Sequence, residues 1–136
     1  MEINEVSEIL GLFRALMAPQ HVFITDEAVK EEVDGQVYFR GLQPRAQRDV
    51  IFLTRDADAS SPIHEAVHAQ FNLGEIGTGA VTRVLLAKAR FIQSHPMLKD
   101  VAPQRKPEYQ ECPGCAEFPL AHSPKYAGRV KHYVRT

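Results

Sequence analysis

Cysteine is scarce: the 136 residues contain two, Cys112 and Cys115, in a single C-x-x-C step. That excludes a multi-disulfide scaffold and leaves a metal site, a redox pair or one disulfide. No stretch approaches the roughly 18 to 20 continuous apolar residues of a membrane span, so no membrane association is expected. The start, Met1-Glu2-Ile3-Asn4-Glu5, is acidic and lacks the basic and apolar regions of a secretory signal. The expected location is therefore the cytoplasm. Neither sign of charge dominates. The formal net charge of −1 argues against a protein built to neutralise phosphates, and so against nucleic acid as its partner. Internal repeats and low-complexity runs are absent too.

What remains is ordinary globular composition, 44% hydrophobic and 24% charged, at the length of one domain that needs no covalent staples. Charge and proline are unevenly placed. Residues 1–100 hold ten Lys/Arg against fourteen Asp/Glu; residues 101–136 hold six against three. Six of the nine prolines lie at or after Pro96. The expectation is a compact body over residues 1–95 and an irregular, proline-rich basic tail over residues 96–136.

Within the body, Val6, Ile9, Leu10, Phe13, Leu16 and Met17 recur at helical spacing, and Pro19 closes that helix. Strands are predicted at His21–Thr25, at Gly35–Leu42 after the Asp34-Gly35 turn signal, and at Asp49–Thr54. Ser61 as N-cap and Pro62 at the first helical position open a second helix, which runs to Phe71 or Leu73. A third follows over Gly77–Ser94 and stops before Pro96. The order is helix, three strands, helix, helix: a small α+β domain with helices packed on a three-stranded mixed sheet.

The second helix carries His64-Glu65-Ala66-Val67-His68, an H-E-x-x-H motif. Histidines at i and i+4 stand one turn apart on one face, so both imidazoles can reach a single zinc at about 2.0–2.1 Å. Glu65 adjoins the first ligand. Its carboxylate can take a proton from a water acidified by the metal and hand it to a leaving amine. Ile63, Val67 and Phe71 mark the buried side, with His64 and His68 on the adjacent stripe.

HEAVH, set in this order of elements, resembles the zincin metallopeptidases, in particular the small minimal zincins. The resemblance covers residues 1–95 in architecture and 61–75 in detail. It implies a zinc-dependent peptidase in which His64 and His68 are ligands and Glu65 is the general base. It also implies that Gly35–Leu42 or Asp49–Thr54 pairs with an extended peptide or protein substrate by β-augmentation.

A third ligand is less plainly marked. The metzincin extension is absent, because Phe71 and Gly74 stand at its glycine and last-ligand positions. A glutamate on the following helix is absent too, since Gly77–Ser94 contains no Asp or Glu. Glu75 is favoured, provided the motif helix ends near Phe71 so that the turn returns it to the metal. If the helix runs to Leu73, Glu75 lies about 10 Å along the axis and is out of reach. His95 is next, followed by Asp100, Glu108 and His122 on ligand chemistry alone.

Cys112-Pro113-Gly114-Cys115 is a half-knuckle, in which two thiolates grip one ion from a tight turn. With His122 and His132 it would make a Cys₂His₂ site for a second, structural zinc. A redox pair lacks the surrounding βαβ pattern, and free thiols or a disulfide are the remaining readings. The tail also interleaves Arg105, Lys106, Lys125, Arg129, Lys131 and Arg135 with Tyr109, Phe118, Tyr126 and Tyr133. Such a segment serves as a solvated arm, as packing on its own body, or as the contact for a protein partner. Tyr109, Tyr126 and Tyr133 are candidates to stabilise an oxyanion. Two functions stand: a zinc metallopeptidase, and a zincin-like structural or interaction protein of a larger assembly that docks through residues 96–136.

Overall fold

The structure is a computed structural model, and it describes residues 1–26, 30–33, 36–39, 49–71, 73–100, 106–114 and 118–136. The first helix, α1, spans Ile3–Leu10 and buries Val6, Ile9 and Leu10 on one face. It stops well short of Pro19. Gly11 is its C-cap, and glycine is a poor helix continuer. Close approach also favours a glycine there. A Cβ on Gly11 would lie 3.1 Å from the Ser7 carbonyl oxygen and 3.2 Å from Lys106 Cα. The chain at 106–107 is thereby held against α1, where the Ser7 hydroxyl donates to the Pro107 carbonyl. Phe13 and Leu16 stay buried beyond the helix, whereas Met17, expected on the same face, is exposed.

Six strands follow among the described residues: β1 (His21–Thr25), β2 (Lys30–Val33), β3 (Gln36–Phe39), β4 (Val50–Thr54), β5 (Tyr109–Glu111) and β6 (Val130–Arg135). Four of them form one mixed sheet in the order β4-β1-β6-β5. β1 runs parallel to β4 and antiparallel to β6, and β5 is antiparallel to β6. β2 and β3 pair with each other as a separate antiparallel two-stranded sheet. The α+β class thus holds, while the expected three-stranded sheet is replaced by a four-stranded one. The strand predicted at Gly35–Leu42 belongs to the hairpin over Gln36–Phe39, and its ends lie outside the described residues.

The expectation of an irregular tail gives way to two strands. β6 lies between β1 and β5, so residues 130–135 are interior to the sheet. Proline density conceals this, yet every tail proline falls outside β5 and β6, and none follows Pro124. Gly128, at φ +78°, makes the turn into β6.

Strand alternation gives the sheet two different faces. Val22, Ile24, Ile51, Leu53 and Tyr133 face a core completed by Val6, Leu10 and Phe13, by Ile63, Ala66 and Val67 of α2 (Ser60–Gln70), and by Ala89 of α3 (Glu75–Ser94). Phe23 and Val50 face the other way, with Phe52, and pack on Phe118, Ala121 and Val130. β1 is buried along its whole length because both faces are covered. The outer side of α3 leaves Ile76, Val84 and Phe91 exposed.

Phe23 is fully buried and its ring lies parallel to that of His132, at 3° and 4.2 Å, with Phe118 edge-on at 5.1 Å. Phe23→Ala should cost about 3–5 kcal/mol, read as a lowered denaturant midpoint with unchanged slope. A loss below about 1 kcal/mol would contradict this packing.

Candidate metal centres

The cap position of α2 lies two residues ahead of the expected Ser61. Ala59 is its N-cap position and makes no side-chain cap bond. Asp58 does that work instead: its Oδ1 accepts from the Ser60 amide at 3.0 Å and from the Ser60 hydroxyl at 2.5 Å. These bonds hold the Asp58 carboxyl below the usual carboxylate range. Pro62, Ile63, Ala66 and Val67 are the buried side of α2. Phe71, expected to extend that side, is outside the helix in extended backbone and is 40% exposed.

His64 and His68 occupy the next stripe, each 30% exposed, with ring centroids 4.7 Å apart. Glu65 is half-buried and stands about 100° further round the helix. α2 ends at Gln70, and α3 starts at Glu75 after Gly74 as N-cap. The turn therefore carries Glu75 back beside the histidines. Its Oε1 lies 2.7 Å from His68 Nε2, and its Oε2 lies 3.8 Å from His64 Nε2. Two ligands at 2.0–2.1 Å on one tetrahedral zinc are about 3.3 Å apart, a separation between these two values. The donor set, two imidazoles and a carboxylate, is one that zinc takes.

The other candidates for third ligand are elsewhere. His95 caps the far end of α3, exposed, with Nδ1 2.8 Å from the Phe91 carbonyl oxygen and its ring stacked on Phe91. Glu108 is exposed beside β5, and the Asp100 side chain lies outside the described residues.

His122 belongs to a second group. Cys112, His122 and His132 each place one ligand atom within 4.8 Å of the others. Both histidines are present together, as the Cys₂His₂ reading requires. Cys115 lies outside the described residues. Sequence reasoning misses His21, because no motif contains it. Only the antiparallel pairing of β1 with β6 brings its Nδ1 to 2.9 Å from His132 Nε2.

Burial first, then the neighbouring His21 and His122, push the His132 imidazole down to about 4. A base whose folded value lies below its unfolded value of about 6.5 binds its proton better when unfolded. The stabilising contribution is complete above pH 6.5 and is lost as pH falls toward 4. Metal-free protein should lose on the order of 2 kcal/mol between pH 7 and pH 5 from this group. Denaturant titrations at both pH values, with His132→Asn as reference, check this. Equal pH dependence in the two proteins would refute it.

The tail's tyrosines and cations are largely engaged within the chain. Tyr109 donates its hydroxyl to the Pro19 carbonyl at 2.8 Å, and burial pushes that phenol up to about 12. Tyr126 packs with Phe52 and Val130, on the sheet face away from α2. Tyr133 joins the helix-side core. Arg135 donates to the Ala18 carbonyl, Lys106 lies 3.8 Å from Glu8, and Lys125 lies over the Tyr126 ring. Among the described residues no helix is long and apolar enough to cross a membrane. No protein family, curated protein or solved structure matches the chain.

Proposed function

We propose that this chain is a zinc-dependent peptide hydrolase of zincin type, in which His64, His68 and Glu75 hold the metal and Glu65 is the general base. The observation that carries the reading is the convergence of three ligand atoms from two consecutive helices beside the glutamate of an H-E-x-x-H motif. Zinc held there would supply Lewis-acid polarisation of the scissile carbonyl and a lowered pKa for water. Glu65 receives the proton of the attacking water and returns it to the departing amine. β4 stands at one end of the sheet order and leads through residues 55–59 into α2. It is the strand this reading assigns to an extended peptide substrate.

The rival, a structural or latent zincin-like protein, is best served by a C-terminal segment lying across α2. Phe118, Ala121 and Tyr126 instead pack on the opposite face of the sheet, which favours the hydrolase. The test is zinc titration of metal-free protein alongside cleavage of a library of unstructured peptides. Zinc should restore cleavage, and Glu75→Ala should weaken zinc binding at this centre by at least roughly 100-fold, the upper end of what loss of an outer-shell partner costs. Cleavage that is independent of zinc, or undiminished zinc affinity in Glu75→Ala, would overturn the proposal.

A further inference from the structure

The group on the other face of the sheet takes no part in the proposed hydrolysis. Cys112 directly follows β5, His122 ends the 3₁₀ turn Pro119–His122, and His132 lies in β6. His122 Nε2 is 2.9 Å from His132 Nδ1. Two imidazoles on one tetrahedral zinc stand about 3.3 Å apart, so the pair needs to open by only a few tenths of an ångström. A thiolate with two imidazoles is a borderline-soft donor set suited to zinc.

The His132 ring is oriented from several sides. Phe23 stacks flat on it and Phe118 meets it edge-on at 5.5 Å. His21 Nδ1 faces its Nε2 at 2.9 Å. A neutral imidazole carries one N–H. When His132 holds it on Nε2 and donates to His21, the Nδ1 lone pair is left facing His122. That is the tautomer a metal requires, and an outer partner of this kind is what fixes it in ligating histidines.

We propose that Cys112, His122 and His132 form a second zinc site, with His21 as the positioning residue for His132, and that it clamps the C-terminal segment onto the sheet. The three ligands come from the end of β5, a short turn and β6, while His21 comes from β1. One ion would thus tie the end of β5, the Pro119–His122 turn and β6 to one another, with His132 held toward β1 by His21. This site does not depend on the hydrolase reading, because it shares no ligand with the α2–α3 centre.

The test uses the full-length chain carrying His64→Ala and His68→Ala, which removes the first centre. The metal-free protein is titrated with cobalt(II) and then with zinc. The expected result is one cobalt per chain, with intense d–d bands of tetrahedral cobalt and near-ultraviolet thiolate-to-cobalt charge transfer, displaced by zinc. Cys112→Ser should remove the charge-transfer band or weaken binding severely. His21→Phe should keep the band and weaken binding by about 10–100-fold. His122 is half-buried on a short turn, so His122→Ala tests the site even if changes at His132 disrupt folding, and it should cost at least as much affinity as His21→Phe. Circular dichroism confirms that each variant is folded. Folded protein without a thiolate–cobalt band, or Cys112→Ser with undiminished band and affinity, overturns the site. Unchanged affinity in His21→Phe overturns the positioning role.

Discussion

Glu65→Gln should leave zinc bound at His64, His68 and Glu75 and lower peptide hydrolysis by about 10²–10⁴-fold, the usual worth of a general base. Glutamine has nearly the same shape and helix propensity, so α2 and the two imidazoles that face Glu75 should stay in place. What is lost is a carboxylate able to take a proton. The measurement pairs zinc content per chain with the rate of cleavage of a peptide that the wild type cuts. Zinc retained with cleavage abolished is the expected pattern. Zinc retained with cleavage intact would remove Glu65 from the mechanism, and zinc lost would mean that the substitution reshaped the centre.

A chain ending at His95 should fail to fold cooperatively. Its removal of β5 and β6 takes the antiparallel neighbour away from β1 and opens one side of that strand. It also removes Phe118, Tyr126 and Tyr133, all buried. Large buried side chains contribute roughly 1.5–3 kcal/mol each, and whole domains are stable by only about 5–15 kcal/mol. Three such losses together with a broken strand ladder are enough to consume that margin. Thermal unfolding followed by near-ultraviolet circular dichroism should show no sharp transition. A transition within a few degrees of the full-length protein would mean that residues 1–95 carry a sufficient core by themselves.

Local signals in the sequence are confirmed where one element dictates them. His21–Thr25 is a strand with the predicted bounds, and the apolar run at 50–54 is another. The stripe that buries Ile63 and Val67 also sets His64 and His68 side by side. The position of Glu75 depends on where α2 stops, and spacing alone left two endpoints open. Extended backbone at Phe71 settles that point of geometry. The sequence is least legible where pairing is long-range. Gln36–Phe39 looks like any other strand, but it joins a hairpin rather than the main sheet. β6 alternates weakly, with Lys131 between Val130 and His132, and its membership of the sheet is decided by β1, more than a hundred residues earlier. The contact of His21 with His132 follows from that same pairing, which no local pattern encodes.

Glu75 is the first residue of a 20-residue rod. α3 is about 30 Å long, so a pivot of about 5° at its far end would swing Glu75 by roughly 2.5 Å. Metal–ligand distances tolerate about 0.2 Å. The two histidines stand on α2, whose opposite side is locked into the core, while the carboxylate is mounted on the end of a lever whose outer side, at Ile76, Val84 and Phe91, faces solvent. On the proposed reading, the affinity of this centre for zinc would gauge helix orientation as much as ligand chemistry, and whatever leans on α3 would change it.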